Sequence, residues 1–209
     1  MYIPPHFASP GDEATAKVIA DNGFGLLVAN DSDGRPVAAH LPMQYDATRR
    51  VLTGHLAGPN PLADALDDCA RAGREVLAIF QGRHGYISPS WYAAKTNTVP
   101  TWNYEAAHVY GVPKMTSDKT KLRAIVAELA RQYERDGWTI DAQDPAFVDK
   151  MLGAIVGFEI PVKHLEGKFK LSQNRNAADR AGAIAGLEAT GRPDDAALAR
   201  AMRDAGNAK

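Results

Sequence analysis

"FGLLVANDSDGRPVAAHLPMQYDATRRVLTGHLA", Phe24 to Ala57, decides the fold class. FGLLVAN is continuously apolar, DSDGRP carries an Asp-Gly pair that marks a hairpin, and VAAHLPMQY alternates. The alternation sets Val37, Ala39, Leu41, Met43 and Tyr45 on one face and Ala38, His40, Pro42 and Gln44 on the other. After DATRR, VLTGHLA points Leu52, Gly54 and Leu56 one way and Val51, Thr53 and His55 the other. Connections this short cannot carry a parallel crossover, so the three runs predict an antiparallel meander.

Helical signals lie on both sides of that meander. SPGDEATAKVIADNG opens with Ser9 as N-cap and Pro10 at the first helical position, and closes on Asn22 and Gly23. NPLADALDDCARAG reads as a helix begun by Asn60 and Pro61 and stopped by Gly73; the apolar EVLAIFQG follows as a buried strand. Ser88 and Pro89 start a short helix, Pro100 interrupts the chain, and TWNYEAAHVYGV is a strand candidate. Leu122, Ile125, Val126, Leu129, Ala130 and Tyr133 recur at helical spacing, with Ser117 as N-cap candidate and Gly137 as the stop. Asp144 and Pro145 start another helix, and IVGFEIPVKHLEG reads as one strand. About seven strands with covering helices favour a mainly β, α+β small barrel over a doubly wound sheet. The expected division is 1–176 for the barrel and 177–209 for a helical tail rich in Ala, Arg and Asp.

Composition narrows the function. The 24 basic and 25 acidic residues leave a formal net charge of −1 with no basic stripe, so charge gives no support to nucleic-acid binding. No run is long and apolar enough for a membrane helix, and MYIPPHFASPGDEA lacks the regions of a signal peptide; the expectation is a cytoplasmic protein. The single cysteine, Cys69, falls at an inward helical position and reads as a small core residue. Six scattered histidines without HExxH or cysteine spacing argue against a metal site, and the absence of G-x-S-x-G argues against a hydrolase elbow. Nor is there a P-loop or a dinucleotide fingerprint.

Three clusters remain. HGYISPSWYAAKTNTVPTWNYEAAHVYG, His84 to Gly111, concentrates aromatic and amide groups around one Lys and one Glu. Trp91, Tyr92, Trp102 and Tyr104 suit the faces of a flat ring, and Ser88, Thr101 and Asn103 suit its polar edge; the same residues also suit a core or a dimer interface. KFKLSQNR offers Lys168, Lys170, Ser172, Gln173, Asn174 and Arg175 as anion donors, or as a solvated segment. GHLAGPNP brings His55 and Asn60 to a strand end that runs into a helix start, where free backbone N–H groups favour a phosphate.

Taken in order, MYIPPHF, HLP at His40–Pro42, GHLAGPNP, YISPSWY, VPTWNY with HVYG, and KLSQNR resemble the PaiB-type family, FMN-binding proteins described as negative transcriptional regulators. The likeness extends to about residue 190. It implies a split β-barrel of the FMN-binding, pyridoxamine-phosphate-oxidase-like kind, a homodimer with FMN at the subunit interface, and DNA contact by family label alone. It further implies His40, His55 and Asn60 near the ribityl phosphate and Trp91, Tyr92, Trp102 and Tyr104 near the ring or dimer contact. No side chain takes a catalytic role, because in a flavin oxidoreductase, the alternative function, the cofactor carries the chemistry. One departure stands out: Gly58 lies where the family carries an arginine, a charge-assisted phosphate contact of about 1.5–3 kcal/mol.

Overall fold

Alternation, caps and prolines account for most of the observed elements. The computed structural model describes residues 1–207. In chain order they form α1 (Asp12–Asp21), β1 (Phe24–Asn30), β2 (Pro36–Asp46), β3 (Val51–Ala57), α2 (Pro61–Ala72), β4 (Val76–Ile87), β5 (Thr101–Gly111), β6 (Lys114–Thr116), α3 (Lys119–Tyr133), α4 (Pro145–Leu152), β7 (Ile155–Pro161), β8 (His164–Lys170), α5 (Ala177–Ala189) and α6 (Pro193–Asn207). The strands hydrogen-bond in the order β6-β7-β3-β2-β1-β4-β5-β8. The chain divides into two compact units, and β4, β5 and β8 each have residues in both.

The larger unit spans Ile19–Phe80 and His108–Leu165. The meander is present as read: β1 pairs antiparallel with β2 through Leu26 and His40, and β2 with β3 through Met43 and Gly54. Leu52 and Leu56 are buried beside Met43, as the alternation requires. Asn60 caps α2 by accepting from the Leu62 N–H at 3.0 Å, Pro61 occupies the first turn, and Gly73 ends the helix at φ 65°. Cys69 is buried and its thiol meets the Asn30 carbonyl at 3.4 Å, a core position.

Three sequence expectations change here, the first being that α3 ends at Tyr133, capped at Glu134, rather than at Gly137. IVGFEIPVKHLEG is two strands, not one: Pro161 has no N–H to continue a ladder, so β7 ends there, against β3 and β6. The cap of α3 is Asp118, whose carboxylate accepts from the N–H groups of Thr120 and Lys121, rather than Ser117. A carboxylate one residue later also complements the positive end of the helix.

The smaller unit spans Met1–Val18, Gln81–Ala107 and Glu166–Lys209. In it, one side of β4-β5-β8 is covered by α5 and α6. Ile87, Tyr92 and Leu171 share a buried cluster with Leu187, Leu198 and Met202. A Cβ at Gly182 would strike the Trp91 carbonyl, so only glycine lets α5 seat against the 3₁₀ turn Pro89–Trp91. Buried Asp179 then clamps the following loop, accepting from the N–H groups of Ala93 at 2.9 Å and Ala94 at 3.3 Å.

Candidate functional site

The opposite side of β4-β5-β8 is open, and its chemistry follows from strand alternation. In β4 the buried positions run Val76, Ala78, Phe80, Gly82 and then Gly85, Ile87, so the parity of the covered positions slips by one residue at Arg83–His84. The slip turns His84 and Tyr86 outward, where both meet Trp102 of β5 at 6.3 Å between ring centroids. Two large rings stay in solvent: Trp102 is 54% exposed and Tyr86 46%. Tyr104, next outward on β5, lies under the Lys168 ammonium at 5.3 Å.

Lys168 and Lys170 stand side by side on the same face of β8. Lys168 is only 9% exposed, yet its ammonium donates to the Tyr2 carbonyl at 2.9 Å and faces the Tyr2 and Tyr104 rings, with no carboxylate. Lys170 donates to the Thr101 hydroxyl and, at 2.8 Å, to the Trp102 carbonyl. Burial first, then the charges of Lys168 and Arg175, hold its pKa below the ordinary lysine value. Among the described residues none of these three cations is ion-paired. Cations crowded together over neutral oxygens favour an anion, because an anion relieves both the repulsion and the desolvation.

The remaining candidates divide between interior and surface. Tyr92 is fully buried in the α5–α6 cluster under the Arg175 guanidinium, so its ring faces the core rather than a ligand. Asn103 is also internal, donating to Ser172 Oγ at 2.8 Å, and Ser172 is buried. Gln173 spends its amide on its own loop, at Leu171 N and Phe169 O. Ser88 caps the 3₁₀ turn, Trp91 is half-buried against α5, and Asn174 is exposed. The face thus brings together Trp102, Tyr104, Thr101 and Lys170 of the predicted set. His84 and Tyr86 were missed, and alternation carried on from Val76 would have turned both inward.

His40, His55 and Asn60 lie in the larger unit. His40 is exposed and stacks on Phe24. The start of α2 does not present the free donors expected from the sequence. Gly58 N–H bonds to Ala154 O, Asn60 N–H to Ala57 O, Leu62 N–H to Asn60 Oδ1 and Ala63 N–H to Asn60 O, while Pro59 and Pro61 have none. His55 Nδ1 is buried without a partner, and burial holds the imidazole below its ordinary 6.5. Its stabilising contribution is therefore complete above that value and lost as pH falls through it, because the unfolded chain takes up a proton that the fold resists. In His55→Asn the drop in thermal midpoint between pH 7 and pH 5 should shrink; an unchanged drop would exclude this histidine as a cause.

A family model described as "Putative FMN-binding domain" matches residues 1–164. The chain belongs to that FMN-binding family. It is 36% identical over 209 residues to the Bacillus subtilis (strain 168) "Protease synthase and sporulation protein PAI 2", covering 98% of this chain and 97% of that protein. Among solved structures, the FAD and heme binding protein from Mycobacterium smegmatis superposes with a TM-score of 0.62 at 18% identity, over 84% of this chain and 78% of its own. The flavocytochrome Anf3 from Azotobacter vinelandii gives 0.62 at 14%, over 80% and 72%. These likenesses establish the split-barrel architecture, and the family makes FMN the cofactor. The open face suits that group: exposed rings match an isoalloxazine, and unpaired lysines match a phosphate. Among the described residues no helix is long and apolar enough to cross a membrane, and no three His, Cys, Asp or Glu side chains are grouped to hold a metal.

Proposed function

We propose that the protein is a homodimeric FMN-binding protein whose flavin lies at the subunit boundary, with its ring against the Trp102 side of the open face and its phosphate on Lys168 and Lys170. The observation that carries this reading is the nearly buried Lys168 ammonium, without a counter-ion among the described residues, beside Lys170 and a row of exposed rings. Thr101 and the Trp102 carbonyl orient Lys170, and Asp179 holds the aromatic segment in place from behind. When bound, FMN supplies hydride or one-electron chemistry, and the protein supplies orientation and a local field.

A regulatory role draws support from the PaiB-type resemblance and from the kinship to a sporulation protein. With a net charge of −1 the chain gives no electrostatic reason for direct DNA binding, so the flavin serves as a sensed ligand in this reading.

Titration of the purified protein with FMN, followed by flavin fluorescence quenching and sedimentation, tests both parts. Saturable quenching by a species of twice the chain mass is expected; a monomer that quenches equally well would remove the boundary site. Gly58 has room for a side chain, since a Cβ there meets only Ala154 O at 3.4 Å. Gly58→Arg should leave FMN affinity within about twofold. A gain of about tenfold or more would move the phosphate to the β3–α2 turn.

A further inference from the structure

We propose that the pocket at the turn between α5 and α6 binds an alkylammonium cation, a site separate from the phosphate-binding lysines. The pocket holds about 260 Å³ within the smaller unit, and its lining combines Tyr86, Trp91, Trp102 and His84 with Arg192, Asp194 and Asp195. Aromatic faces carry negative quadrupole potential, and a cation set against two or three of them is attracted without giving up much apolar contact. Carboxylates in the same lining add a full charge of the same sign. Asp195 is 8% exposed and is held in place by the Thr190 hydroxyl at 2.8 Å. Asp194, one residue earlier, has no hydrogen bond or ion pair among the described residues.

Other ligand classes fit less well. An anion would meet two carboxylates, and a neutral apolar ligand would bury them without compensation. Arg192 also lines the pocket, with its Nε 3.9 Å from Asp195 Oδ2, but at 74% exposure its side chain is hydrated and competes weakly for the carboxylates. A compact ammonium head group on a short alkyl stem meets all three demands: charge for the carboxylates, polarisable surface for the rings, and a size the volume admits.

Trp102 is shared with the face assigned to flavin, so the two ligands are thermodynamically linked, each altering the other's affinity by the same factor. Cation binding does not require flavin. The experiment therefore uses the full chain stripped of flavin, in a Trp138→Phe background so that indole fluorescence reports Trp91 and Trp102 alone. Choline is compared with 3,3-dimethyl-1-butanol, its neutral isostere, and calorimetry confirms stoichiometry. Saturable binding of one choline per chain is expected, with the neutral isostere at least tenfold weaker. Trp102→Leu, which keeps apolar volume but removes the π face, should weaken choline about tenfold. Asp194→Asn should weaken it several-fold, and Arg192→Gln should tighten it by removing a competing charge. Equal binding of the two isosteres, no binding of choline, or indifference to both Trp102→Leu and Asp194→Asn would overturn the proposal. Because FMN is absent throughout, failure of the flavin site would leave these results standing, and the reverse holds too.

Discussion

Lys170→Met is expected to weaken FMN binding by about tenfold to a hundredfold while leaving riboflavin binding within about twofold. The size follows from losing one charge-assisted hydrogen bond to phosphate, about 1.5–3 kcal/mol. Riboflavin lacks the phosphate, so the comparison isolates that contact from any general disturbance of the face. Lys170→Arg should recover part of the loss, since a guanidinium still pairs with phosphate from a similar reach. The free-protein Lys170 ammonium is already held below its ordinary pKa by burial and by Lys168 and Arg175. FMN affinity should accordingly fall on the alkaline side as Lys170 loses its proton, beginning below the ordinary lysine range, and binding there should take up protons. Equal losses for FMN and riboflavin in Lys170→Met would mean that the lysine only shapes the ring site.

Leu187→Ala and Leu198→Ala should each cost about 2–5 kcal/mol of stability, a fall in thermal midpoint of roughly 5–20 °C for a chain of this size. Both side chains are fully buried between α5, α6 and the sheet, where little can collapse into the space left behind. Ala185→Ser, on the exposed side of α5, should change stability by less than about 0.5 kcal/mol. FMN affinity should fall along with the two leucine variants, because α5 also carries Asp179, the clamp on Ala93 and Ala94. A leucine variant that melts at the parent temperature would show that the two helices ride on the sheet without supporting it.

Elements with a local cause were legible in the sequence. Strand alternation and the Asp-Gly turn gave the β1-β2-β3 meander its order and its faces, and Asn60, Pro61 and Gly73 bounded α2 because caps act within one helical turn. The motif order from MYIPPHF to KLSQNR carried the family, the split barrel and FMN. Of the candidate site, residue types were legible but not their directions. Tyr92 and Trp102 look alike in the aromatic stretch, yet one is sealed beneath α5–α6 and the other stands in solvent. What separates them is the cover of α5 and α6, a pair of helices about 100 residues further along the chain. The donors at the α2 start were likewise indistinguishable from free ones until Ala154, almost 100 residues away, supplied the carbonyl for Gly58. These points rest on tertiary partners, because burial and hydrogen-bond satisfaction depend on groups that local periodicity does not name; among the described residues the nearly buried Lys168 has no carboxylate beside it.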